Sequence, residues 1–108
     1  MTAKPVVPRE AADQDIEGIL THHLREAAPQ AALGFIDALA SAYTHIGRSP
    51  VTGSTRYAHE LDLPGLRMWP LTRYPYLVFY MERLDHIDVW RVLHMARDIP
   101  ARWHEAPS

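Results

Sequence analysis

The spacing of apolar positions changes character midway along the chain. After Pro8, Ala12, Ile16, Ile19/Leu20, Leu24 and Ala27 recur three or four residues apart, which predicts a helix over Glu10–Ala27. Asp13, Asp15 and Glu17 fall in its first turns, where the helix dipole favours acids. Pro29 suits the opening of a second helix, because its missing N–H would have no partner there. Ala32, Phe35/Ile36, Leu39, Ala42/Tyr43 and Ile46 form that helix's stripe, with Gly47 as its cap and Pro50 barring resumption. So short a link makes the two helices an antiparallel hairpin. Ahead of them, Lys4–Val7, interrupted by Pro5 and bounded by Pro8, suits an edge strand.

Residues 47–65 read as a long irregular connection with a turn at Tyr57–Leu61. Three β-rich runs follow. Leu66–Leu71 contains Pro70 and belongs at an edge. Tyr76–Glu82 and Ile87–His94 are dense in β-formers. The links at 72–75 and 83–86 are short enough for hairpins, so the three runs form an antiparallel meander. The order is β-α-α-β-β-β. The fold class is α+β, with a helical hairpin packed on a mainly antiparallel four-stranded sheet. The reading is a single domain over residues 1–108, its core at 4–103 and a tail at 104–108.

At 108 residues and 47% apolar composition, the chain can bury a core without staples, and it has no cysteine for a disulfide, a thiolate zinc site or a thiol nucleophile. The formal net charge of −2 lacks the basic field of a protein that grips many phosphates. Residues 1–47 hold three basic and six acidic side chains, whereas residues 48–108 hold eight arginines and seven acids. An anion-facing surface therefore belongs to the second half. No run approaches the ~18 apolar residues of a membrane span, and Met1–Glu10 lacks the apolar core of a secretory signal, so a cytoplasmic protein is expected. His22 and His23 are adjacent and project to different sides of a helix, while His45, His59, His86 and His104 are isolated. No metal or cofactor is expected. Ser41, Ser49 and Ser54 have no nucleophile motif around them.

The second half also carries an ordered set of motifs. Leu66-Arg67-Met68-Trp69-Pro70-Leu71 is followed by Arg73-Tyr74-Pro75-Tyr76-Leu77-Val78-Phe79-Tyr80. Val89-Trp90-Arg91-Val92-Leu93-His94 and Ala96-Arg97-Asp98-Ile99-Pro100 complete it. Over residues 4–103 this resembles the ParE branch of the RelE/ParE toxin superfamily. The resemblance implies a toxin of a type II toxin–antitoxin module that causes growth arrest. It further implies a DNA gyrase inhibitor, neutralised in a hetero-oligomer by a ParD-like antitoxin, a ribbon-helix-helix protein with an amphipathic C-terminal segment. RelE-like relatives instead cleave mRNA. Where they resemble one another in placing lysines, an arginine and a C-terminal tyrosine, this chain has Arg67 and Trp69, Tyr76 and Trp103; Arg97 alone matches. An indole N–H is neither acid nor base near neutral pH. The residues therefore favour binding over catalysis. A RelE-like endoribonuclease using Arg67, Arg91 and Arg97, or a non-toxic antitoxin-binding module, are the alternatives.

For target contact the candidates are Arg67, Arg73, Tyr76, Arg97 and Trp103. For antitoxin contact they are Tyr43, Leu63, Trp69, Arg91, His94 and Trp103. The competing expectation places Tyr74, Tyr76, Phe79, Tyr80 and Trp90 in the core. It also pairs the arginines with Asp85, Asp88 or Asp98 and gives His94 the task of ordering the C-terminal segment.

Overall fold

The computed structural model describes residues 3–105. Strand β1 (Val6–Pro8) leads into helices α1 (Glu10–Arg25) and α2 (Pro29–Arg48). A 3-10 turn at Pro50–Thr52 and a short helix α3 (Arg56–Glu60) fill the connection. Then come β2 (Arg67–Pro70), β3 (Tyr76–Glu82), β4 (Ile87–His94) and a last short helix α4 (Ile99–Trp103). One four-stranded sheet has the order β1-β4-β3-β2, antiparallel except for the parallel β1–β4 pair. The α+β class and the meander are thus as the sequence reads. The first strand starts two residues later and ends one residue later than Lys4–Val7, and β2 is trimmed by one residue at each end.

The hairpin of α1 and α2 covers one sheet face. Ala12, Phe35, Leu39 and Ile46 pack there on Val78, Tyr80 and Val89. Burying a side chain such as Phe35 contributes about 1.5–3 kcal/mol. Three expectations about the helices need correction. Helix α1 stops at Arg25, short of Ala27, because Ala27 takes a left-handed φ of 54°. The N–H groups of Ala27 and Ala28 then donate back to the carbonyls of Leu24 and His23, at 3.1 and 2.9 Å. Leu24 and Ile36 face outward, 59% and 45% exposed, because Phe35 takes the core position and Leu24 lies in the last turn of α1. Gly47 is no cap, since α2 runs on to Arg48. It is glycine because the Lys4 backbone crosses it: Lys4 N–H donates to the Gly47 carbonyl at 3.0 Å, and a Cβ would lie 2.8 Å from the Lys4 oxygen.

The opposite sheet face is covered by α3 and α4. Leu66, Leu77, Phe79 and Leu93 pack there with Ile99 and Trp103. The reading from sequence marks only a turn at 57–61 and no helix at 99–103; a helix of five residues has no measurable period, and the cap Asp98 with Pro100 is the one start signal it leaves. A β-bulge shapes β4. Phe79 pairs with Arg91 but Tyr80 pairs with Val89, which leaves Trp90 as an extra residue. The bulge resets the alternation, so Val89 and Val92 both join the core under the helices while Trp90 and Leu93 join the other face. Of the tail expected at 104–108, residues 106–108 lie outside the described residues.

Candidate functional site

Arg91 sits where the bulge turns β4, between α1 and α4. Its Nε and Nη2 donate to the two oxygens of Asp15, each at 2.8 Å, and the Val92 N–H donates to Asp15 Oδ2 at 3.0 Å. Both charged side chains are more than 90% buried. The remaining nitrogen, Nη1, donates to the carbonyls of Trp103 at 3.1 Å and Glu105 at 3.0 Å. Those carbonyls end α4 without helical partners, so one guanidinium fastens the first helix, the sheet and the last helix. At the start of α4, Asp98 Oδ1 accepts the Ala101 N–H at 3.3 Å. The segment carrying Arg97 and Arg102 is therefore held at both ends.

A cleft of about 420 Å³ opens beside this anchor, between α1 and the ends of β3 and β4. Arg97 and Arg102 line it together with His22, His94 and Tyr76. The Tyr76 ring lies edge-on to His94, centroids 5.1 Å apart. Burial pushes the Tyr76 hydroxyl above its ordinary pKa, and the nearby Arg97 charge partly opposes that. His94 Nδ1 accepts the Ala96 N–H at 3.0 Å, which leaves Nε2 to carry the ring proton in the neutral form. Arg102 pairs with Glu105 at 2.6 Å, whereas Arg97 forms no ion pair among the described residues. The one acid in the wall, Asp15, is spent on Arg91. The arrangement is a surface-facing set of hydrogen-bond donors suited to an anion.

Of the residues singled out from the sequence, only Tyr76, His94 and Arg97 meet in this cleft. Arg67 is not a free arm: its Nη1 donates to the carbonyls of Val51 and Gly53, at 3.0 and 2.8 Å. With Tyr80 Oη donating to Pro50 at 2.6 Å and Ser54 bridging Met68, it straps residues 50–54 along the outer edge of β2. Arg91 is also no surface contact, being enclosed with Asp15, an acid outside the three expected partners. Trp103 is corrected too. It is buried edge-on against Phe79 and stacked on Trp90, because α4 folds it onto the second sheet face. Trp69 is half-buried beneath the stacked His45 ring, 3.9 Å between centroids. Leu63 is half-buried on the α3 side. Tyr43 is half-buried with its hydroxyl enclosed and without a partner; burial, then the Asp13 charge, pushes that hydroxyl's pKa up. Arg73 stays exposed in the β2–β3 loop, outside the cleft.

Trp90 departs from its expected core position. It is half-buried, donates its indole N–H to Asp88 at 3.1 Å and carries the Arg9 guanidinium 3.8 Å over its ring. The sequence reading missed Asp15, His22 and Arg102. Asp15 had a signal: it falls among Ala12, Ile16 and Ile19 on the apolar stripe, where an acid needs a buried cation. Among the described residues no cluster of three or more His, Asp or Glu could hold a metal ion. No described helix is long and apolar enough to cross a membrane.

A solved structure described as a chromosomal ParDE TA system from P. aeruginosa superposes with a TM-score of 0.69 at 18% identity, covering 85% of this chain and 96% of that one. The likeness is one of fold. No curated protein matches the sequence. The family model described as the ParE toxin of the type II toxin–antitoxin system parDE matches residues 6–99, from β1 to the start of α4. The chain belongs to the ParE toxin family.

Proposed function

We propose that this ParE-family chain acts by binding, as an inhibitor of DNA gyrase that arrests growth in the cytoplasm until a ParD-like antitoxin neutralises it. The observation that carries the reading is the fate of the arginines a ribonuclease would use. Of Arg67, Arg91 and Arg97, the first two are committed to backbone carbonyls and to Asp15, and only Arg97 is exposed. Charge stabilisation by Arg97 alone is a poor route to phosphodiester cleavage, which also needs an acid and a base placed against the reacting oxygens. The same face suits docking through the exposed Arg97, with Arg73 as a flanking charge; Tyr76, expected as a target contact, is instead buried on Phe35 and only backs the cleft.

The antitoxin's amphipathic segment is assigned to the outside of the helical hairpin. Leu33 and Ile36 stand one turn apart there, 63% and 45% exposed, and supply the apolar anchors that the buried Trp103 does not. Tyr43 lies further along the same helix. A supercoiling assay with purified protein tests the main reading: inhibition at micromolar concentration supports it, and full supercoiling overturns it. The endoribonuclease alternative draws on His22, His94 and Arg97 sharing a cleft. Cleavage of translated message on primer extension, lost in Arg97→Ala, would put that alternative in its place.

A further inference from the structure

We propose that the cleft between α1, β4 and the 95–102 segment is a binding site for one phosphate-bearing nucleotide of a nucleic-acid strand. The inference deepens the reading of this face as the target contact. Arg97 and Arg102 present planar guanidinium forks, the side-chain geometry that matches phosphate oxygens two at a time. His94 adds a donor with its orientation fixed by the Ala96 N–H bond at Nδ1, and His22 stands on the opposite wall. Asp15 is bound by Arg91, and Glu105 already holds Arg102 Nη1 at 2.6 Å, so Arg97, which forms no ion pair among the described residues, is the leading guanidinium and Arg102 adds its remaining N–H groups.

The volume argues for more than a bare anion. About 420 Å³ is several times what a phosphate fills and lies in the range of small-molecule sites. The wall beyond the arginines is Ile19, Leu93 and the half-buried His94 ring, which the buried Tyr76 supports edge-on; His94 is the ring on which a base can stack. A carboxylate on a protein segment would use the guanidinium forks but leave the His94 ring without a flat partner. A single such site needs no basic field, which agrees with the net charge of −2. Asp15 and Arg91 are positioning residues here: they hold the segment that carries Arg97 and Arg102.

The test is a backbone amide and histidine-ring NMR titration of the free full-length chain, without gyrase. Its probes are inorganic phosphate, adenosine 5′-monophosphate, acetate and a glutamate-rich peptide. Saturable shifts at Gly18, His22, His94 and Arg97 are expected in about the millimolar range, with the nucleotide tighter than phosphate. Arg97→Ala weakens nucleotide binding roughly tenfold while the exposed Arg56→Ala, an equal charge change elsewhere, leaves it unaltered. Shifts that do not saturate, equal weakening by both variants, or a glutamate peptide that binds as well as the nucleotide overturns the assignment. Because no gyrase is present, failure here leaves the supercoiling result standing, and failure of the supercoiling assay leaves this titration standing.

Discussion

Asp15 and Arg91, 76 residues apart in sequence, form a doubly hydrogen-bonded ion pair enclosed between the first helix and the sheet. Removing one partner of such a pair strands the other charge, at a cost of about 3–5 kcal/mol. Asp15→Ala and Arg91→Ala should each lower unfolding free energy by that amount in urea titrations. The double substitution Asp15→Leu with Arg91→Met should recover most of the loss. It should still release α4, because the carbonyls of Trp103 and Glu105 lose their donor. Faster amide exchange over residues 99–105 in the double variant, at near-parental global stability, is the expected outcome.

Asp88 is a second anchor, at the start of β4. Arg9 grips it with two bonds at 2.9 Å, and Arg83 and the Trp90 indole share Oδ2. Burial alone would raise its pKa, but these donors, led by Arg9 and Arg83, hold it below the ordinary carboxylate value. A depressed folded pKa gives stability that is fully present above the unfolded value of about 3.9 and is lost as pH falls through the folded one. Asp88→Asn should therefore lower stability at neutral pH by about 1–2 kcal/mol. It should also flatten the decline below about pH 4. An unchanged acid limb in the variant's pH–stability curve would assign that decline to other carboxylates.

What could be read from sequence follows from which interactions leave a period. The α2 stripe and the runs of β3 and β4 repeat over many residues, so their pattern was legible, as was the order of the sheet's meander. Helix α4 has five residues and, beyond its Asp98 cap, gains its stability from Trp103 packing on Phe79 and from Arg91, contacts that leave no local signature. For the same reason Trp103 looks like an exposed tail residue in one dimension. The cleft was half legible: Tyr76, His94 and Arg97 sit in the motif-bearing half, but His22 arrives from a helix remote in sequence. Arg67 shows the reverse error, since a long charged side chain on an edge strand reads as solvent-facing until the loop at 50–54 closes over it.

Ala27 holds a φ of 54° in the turn between α1 and α2, with the back-bonds that usually place glycine at this position. A left-handed alanine carries a strain of about 1–2 kcal/mol that glycine avoids. Glycine also makes the unfolded chain more flexible, which offsets part of the gain. Ala27→Gly should stabilise the protein by about 0.5–1 kcal/mol in chemical denaturation. A loss of stability would place the strain outside this turn.

Gly53 shows close approach of another kind. Its φ is ordinary, but an added Cβ would fall on the Tyr80 hydroxyl, the group that donates to Pro50. Gly53→Ala should push that ring aside, break the strap at 50–54 and destabilise by about 1–3 kcal/mol. Tyr80→Phe alone should cost about 1 kcal/mol for the lost bond. Combining them should cost less than the sum, because losing the hydroxyl removes the closest obstruction and leaves the ring Cζ at 2.8 Å and Arg67 Cβ at 3.1 Å. Additive losses in that double-mutant cycle would mean the alanine is resisted by something other than the Tyr80 hydroxyl.

Arg97 and Arg67 separate contact from architecture. Arg97 is exposed and forms no ion pair among the described residues, so Arg97→Ala should leave stability within about 0.5 kcal/mol of the parent. Its loss should nevertheless weaken gyrase inhibition, because a guanidinium at the cleft mouth faces whatever docks there. Arg67→Ala should do the opposite at first sight: it frees the carbonyls of Val51 and Gly53 and costs about 1–2 kcal/mol. Inhibition by the folded Arg67→Ala fraction, measured well below its melting temperature, should match the parent. Equal loss of inhibition in both variants at matched folded concentration would mean that the target reaches across to the β2 edge, and the contact surface would then have to be extended from the cleft to the strap.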